Sequence, residues 1–252
     1  MTSAAVDWAA PGFDLPPAAD LVGPFPGRAF LEAWWRHHGG GEPRVVAAPD
    51  ALLALRRTTG GVVEFMGEAG LTDYHAPLGP GAEALVAEVI AGLAPGTPYR
   101  FDSLPREAAE LVARGVAAAQ AGPEPARPVA ATVAGVLALP GPKGGVLTGE
   151  MEAFFADLLE VPGARLDLLC GEDEEPVAAA FGFQDERAYY LYNSAYDPRA
   201  AAASPGAVLV DSLVQRAIAA GLERFDFLKG DEPYKFRLGG RPRPLFVVEG
   251  VR

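Results

Sequence analysis

Three lysines stand in a chain of 252 residues whose other 18 basic residues are arginine. Two of them, Lys229 and Lys235, lie in "RFDFLKGDEPYKFRLGG", between Arg224 and Gly240, with Asp231, Glu232 and Tyr234 between them. Ammonium groups beside carboxylates and a phenol are parts for moving protons and holding an anion. Asp231 and Glu232 could take up a proton, directly or through water, and Tyr234 could give one. Lys235, counted with these three in the chemistry, and Lys229 would hold a phosphate or carboxylate, with Arg237 on the substrate side. Each also has a plainer reading: surface acids in a turn, an aromatic in a core, a solvated basic face.

Upstream, "AYYLYNSAYDPRAAAASPGAVLVDSL" reads as strand, polar loop and helix. A helix opening on "SPGA" offers backbone N–H groups to an anion, which makes Ser204, Gly206, Ala207 and Val208 candidate contacts, with Asn193 on the preceding strand. The alternative is an ordinary cap, Ser204 at the helix start and Pro205 in its first turn. Tyr192, Tyr196 and Asp197 stand where a second ligand would approach. In the first half, Trp34, Asp73, Tyr74 and His75 are the candidate contacts to that second ligand. Trp34 also fits packing, since it lies on a short amphipathic helix, and His75 has no cysteine or serine partner in a recognisable triad. His37 and His38 adjoin a glycine cap, where positive charge suits a helix C-terminus. Neighbours on a helix point in different directions, so no metal site is expected.

The elements that would position these residues repeat. "RAFLEAWWRHHGGG" predicts a helix stopped by glycine, followed by strands "PRVVAAPD", "ALLALRR" and "GVVEFMGE", helix "PGAEALVAEVIAGL", strand "YRFDSL" and helix "PREAAELVARGVAAAQAG". After the Pro-rich "GPEPARP" come helix "GEMEAFFADLLE", strands "ARLDLLCG", "PVAAAFGF" and "AYYLYNSAY", the "SPGA" helix and strand "RFDFL". "YKFRL" predicts one more strand, with Tyr234, Phe236 and Leu238 on one face and Lys235 and Arg237 on the other. "PGA" opens a predicted helix at Pro80 and again at Pro205, and "RFD" begins at Arg100 and at Arg224, in matching contexts. The expectation is a mixed α+β protein of two similar halves, 1–125 and 126–252, from an internal duplication. The first copy, "RFDSLPREAA", keeps the frame but carries no lysine, so the site is assigned to the second half.

Composition narrows the rest. A net charge of −12 leaves no long-range field to gather nucleic acid, so DNA is not an expected partner and an anionic ligand needs a local basic patch. One cysteine, Cys170, excludes an intrachain disulfide and cysteine-rich metal sites. The opening residues lack the pattern of a secretory signal, and no run is long enough to cross a bilayer, so a cytoplasmic location is expected. "GPKGGVLTGE" lacks the Gly-Lys-Ser/Thr ending of a phosphate loop and reads as linker.

The block from "YYLYNSAYDP" through "SPGAVLVDSLVQRAIAAGLERFDFLKGDEPYKFRLG" resembles the C-terminal signature of the CelD-like, FemAB-related branch of the GNAT acyltransferase superfamily. "FLEAWWRHHGG" and "EFMGEAGLTDYHAPL" resemble that branch's N-terminal helix and middle segment. The resemblance implies two tandem GNAT-like halves, each a mixed, mostly antiparallel sheet flanked by helices, the first degenerate and on the acceptor side. It implies acetyl-CoA or another acyl-CoA lying between two splayed parallel strands, "AYYLYNS" and "RFDFL", with its pyrophosphate at the helix start near Pro205. The usual Gly-rich phosphate loop is reduced here to "SPGA". The implied activity is N-acyl transfer to a small-molecule or cell-envelope amine, without a metal. The alternatives are a FemAB-type transfer from aminoacyl-tRNA to a cell-wall precursor and a non-catalytic binding protein of the same fold.

Overall fold

A computed structural model of the chain describes residues 6–120, 129–130, 149–172 and 174–252. The linker expected at 122–128 and most of "GPKGGVLTGE" lie outside these residues. The chain divides into two compact units, Met1–Val133 with Arg243–Arg252, and Ala134–Pro242.

The first unit begins its regular structure with helix α1 (Arg28–His38). Strands β1 (Glu42–Ala48) and β2 (Ala51–Arg57) form a tight hairpin over Pro49 and Asp50, in register from Ala48 opposite Ala51 to Glu42 opposite Arg57. The first five residues of "ALLALRR" are all buried, as a strand covered on both faces requires. Strand β3 (Val63–Phe65) adds antiparallel to β2. Helix α2 (Ala82–Ala91) buries Ala82, Leu85, Val86, Val89 and Ile90, the three-and-four spacing of one helical face. Strand β4 (Pro98–Leu104) then joins β3 in parallel, with Val63 opposite Tyr99. Helix α3 (Arg106–Gln120) packs on α2 so closely that a Cβ on Gly115 would lie 2.6 Å from the carbonyl oxygen of Glu83. Strand β5 (Val129–Ala130) is a two-residue addition to this sheet.

The second unit has the same order of parts. Helix α4 (Gly149–Leu158) precedes strands β6 (Ala164–Cys170), β7 (Pro176–Gln184) and β8 (Ala188–Tyr196), which form an antiparallel meander. Helix α5 (Pro205–Ala219) follows, and strand β9 (Arg224–Asp226) returns parallel to β8. In both units, therefore, a three-stranded meander is followed by a helix and a parallel fourth strand. Leu209, Val210, Leu213 and Ala217 of α5 bury one helical stripe, and the first three pack with Ala178, Ala180, Tyr189 and Leu191. The alanines on β7 leave room for the helix to approach the sheet. The mixed α+β architecture, two mixed sheets flanked by helices, is the one expected.

Two elements depart from the sequence reading. "PYKFR" is a short helix, α6 (Pro233–Arg237), and not a strand. Pro233 presets φ for a first helical turn, and Leu238 N–H bonds to the Tyr234 carbonyl four residues back. Tyr234 and Leu238 share a face in either geometry, which is why alternation misled. The helix separates Phe236 from them, and it lies 48% exposed. The second departure is strand β10 (Phe246–Val251), which follows α6 in sequence but belongs to the first sheet, antiparallel between β4 and β5. Among the described residues no helix is long and apolar enough to cross a membrane.

Candidate active site

Strands β8 and β9 pair over three residues only, Ala188 to Tyr190 opposite Arg224 to Asp226. Beyond that point β8 continues to Tyr196 with β7 as its partner, while the other chain leaves strand geometry. The β7–β8 register shifts here. Phe181 faces Asn193 and Gly182 faces Leu191, which leaves Tyr192 as the extra residue of a bulge. The Tyr192 ring sits among Phe155, Phe181 and Phe183, with centroids 5.7 to 6.1 Å away, and Asn193 is exposed next to it.

After β9 the chain turns sharply. Asp226 accepts a hydrogen bond from the Leu228 amide at 2.8 Å, and Leu228 adopts a left-handed φ of 56°. Gly230 follows at φ 112°, and a Cβ there would press into the Glu232 carboxylate. Lys235 clamps this loop from α6. Its side-chain nitrogen donates to the carbonyl oxygen of Lys229 at 2.6 Å and approaches that of Leu228 at 3.4 Å, and it pairs with Glu232 at 2.9 Å. Only 7% of Lys235 is exposed. The ammonium expected to meet an anionic ligand is thus engaged by the loop itself. Lys229 keeps partial exposure, Asp231 and Arg237 are exposed, and Glu232 is half-buried.

Tyr234 packs on Phe227 at 6.2 Å between centroids. Burial, and next the Glu232 charge, push its phenol up to about 12, so it stays protonated at neutral pH. Underneath, Tyr189 stacks on Phe225 at 5.1 Å and donates to Asp167 at 2.9 Å, and Arg216 of α5 pairs with the other oxygen of Asp167. Burial and the neighbouring Asp167 carboxylate hold Tyr189 well above the usual phenol range. This polar bridge ties β6, β8 and α5 together beneath the parting strands. Sequence reasoning missed it because its members lie far apart in the chain.

At the start of α5, Ser204 is left-handed, φ 51°, and its side chain makes no cap bond. The amides of Ala207 and Val208 both bond to the Ser204 carbonyl, at 3.0 and 3.2 Å. The expected row of exposed amides is reduced accordingly, and Pro205 has no N–H to offer. Gly206 permits the Tyr196 ring to approach, since a Cβ would lie 3.2 Å from its Cδ1. Asp197 accepts from the Arg199 amide at 2.8 Å and pairs with the Arg199 guanidinium, whose hydrogen bonds hold its carboxyl below the ordinary range.

The first-unit candidates are placed differently. Trp34 has no exposed surface and lies under the guanidinium of Arg56, 4.9 Å from its ring. Tyr74 is buried beneath Arg243 at 5.0 Å. Asp73 is half-buried, and His75 is buried against Asp102. The signal that could have found the β9 turn was "DFL", an Asp two residues before a residue that must turn.

Neither a curated protein nor a solved structure matches the chain significantly. A family model described as the acetyltransferase (GNAT) domain matches residues 102–236, more than half of the 252, and this span contains the β8–α5–β9 unit and all of α6 but its last residue. The chain belongs to the GNAT acetyltransferase family.

Proposed function

We propose that the protein is an N-acyltransferase that moves an acyl group, acetyl in the first instance, from acyl-CoA to an amine on a small-molecule or cell-envelope acceptor in the cytoplasm. The observation that carries this reading is the three-residue pairing of β8 with β9, after which the strands part next to the Ser204–Gly206 start of α5. A thioester could lie in that gap with its pyrophosphate near Gly206, Asn193 and Lys229.

The amine nitrogen attacks the thioester carbonyl, the C–N bond forms and the C–S bond breaks. Asp231 or Glu232 takes the proton from nitrogen and Tyr234 protonates the departing sulfur, for which its half-buried, protonated phenol is suited. Lys235 acts by holding the 228–232 loop in shape. Tyr192, Tyr196, Asp197 and Arg237 flank the approach to it.

The matching order of parts in the two units supports an origin by duplication, with halves 1–125 and 126–252, as in the CelD-like, FemAB-related branch. Calorimetric titration with CoA and acetyl-CoA tests the donor. Saturable binding is expected, and none at roughly millimolar ligand overturns the reading. Given turnover, Tyr234→Phe should lower kcat by about 10²-fold. A non-catalytic binding role is the second reading, favoured by the Ala207 and Val208 amides being spent on Ser204. It predicts CoA binding without turnover against any amine.

A further inference from the structure

The first unit holds a cleft of about 380 Å3, lined among others by Arg56, Glu64, Gly67, Glu68, His75 and Asp102. His75 is 4% exposed. Its Nδ1 lies 3.0 Å from the Asp102 carbonyl oxygen and 3.2 Å from Asp102 Oδ1. Both neighbours are acceptors only, so Nδ1 must carry the proton, and in the neutral ring Nε2 is an acceptor. Among the described residues nothing donates to that Nε2, although it is buried. A buried polar atom left in this state has lost its water without gaining a partner, which a native fold rarely tolerates without use.

The surroundings keep both the ring and the space beside it. Ser103 Oγ donates to Asp102 Oδ1 at 2.9 Å, and the His75 amide bonds to the Ser103 carbonyl at 3.0 Å. Ser103 is fully buried in a left-handed conformation, φ 57°, which is strained for a residue with a Cβ. Gly67, at φ 106°, has no side chain where one would fill the cleft wall. A Cβ there would lie 2.8 Å from His75 Nε2. The charges are nearly all paired: Arg56 with Glu64 at 2.7 Å, and Arg100, also in the lining, with Glu249 and, at 3.8 Å, Asp102. Among the described ion pairs none involves Glu68, so the lining carries one more carboxylate than guanidinium.

We propose that this cleft is a binding site for a small primary ammonium group, which donates one N–H to His75 Nε2 and is neutralised by Glu68. The excess negative charge selects an ammonium over a carboxylate, and the bare Nε2 needs a donor. The site agrees with an amine-using enzyme but does not rest on the acyl-CoA reading, and its test contains no acyl donor.

The full chain, labelled with 15N at its three histidines, is titrated with ethylammonium chloride, ethanol and sodium acetate at matched ionic strength. Without ligand, His75 should show the Nδ1–H tautomer. Ethylammonium should move the Nε2 resonance saturably, with ethanol far weaker and acetate without effect. Glu68→Gln, a change at an exposed position, should weaken ethylammonium by about tenfold, and His75→Gln, in a chain that still melts cooperatively, should abolish the rise in melting temperature that ethylammonium gives the unaltered chain. A proton on Nε2 in the free chain, an absent shift, equal response to ethanol, or an unchanged affinity in Glu68→Gln would each overturn the proposal. If His75→Gln fails to fold, the tautomer and Glu68→Gln still decide it.

Discussion

Lys235 shows how a residue chosen for its charge can work through its length. Three donors on a buried four-carbon stem satisfy two carbonyls and a carboxylate around a loop that begins in left-handed geometry. Lys235→Met should therefore destabilise the second unit by about 1–3 kcal/mol, read by denaturant unfolding, because the loop carbonyls lose their donor. Lys235→Arg should not restore it, since a planar fork cannot enter the same space. Tyr234 offers a pH signature. Its folded phenol titrates at about 12 against an ordinary 10.0, so the folded state binds the proton more tightly. That contribution to stability is fully present below pH 10 and lost as pH rises toward 12. Alkaline difference absorbance should show Tyr234→Phe losing one late-ionising phenol.

At the scale of elements, most strands and helices were legible because aliphatic runs of strand length alternate with three-and-four spaced helices between Gly and Pro stops. The helix-opening "PGA" at Pro80 and Pro205 and the two "RFD" fall at equivalent places in the two units, before or at the start of α2 and α5 and within β4 and β9, while a third "PGA", at Pro162, leads into β6. What was hidden had physical reasons. Five residues of "YKFRL" cannot separate period 2 from period 3.6, and Pro233 decided for a helix. The gap of the candidate site was inferred from the strand–helix–strand order. Its loop clamp and the Tyr189–Asp167–Arg216 bridge depend on tertiary distances that no local spacing reports. Helix propensity makes its own wrong forecast at Gly115, where alanine should gain about 1 kcal/mol. The Glu83 carbonyl and Val86 leave no room, so Gly115→Ala should instead lower the melting temperature.

For the whole molecule, β10 is the informative feature. It lies between β4 and β5 with Phe246 opposite both Leu104 and Ala130, and its Phe246 and Val248 fill the first core. Removal of Arg243–Arg252 should expose that core and abolish protection from hydrogen exchange in β4, while β7 and β8 keep theirs. Loss of protection throughout would mean that the two units unfold as one.

The same strand sets an order of events during synthesis. The first sheet is missing an interior member until every residue up to Pro242 has left the ribosome, so the first unit is completed only after the second has been made. Until then β4 presents an open hydrogen-bonding edge, the kind of surface that nascent-chain chaperones cover.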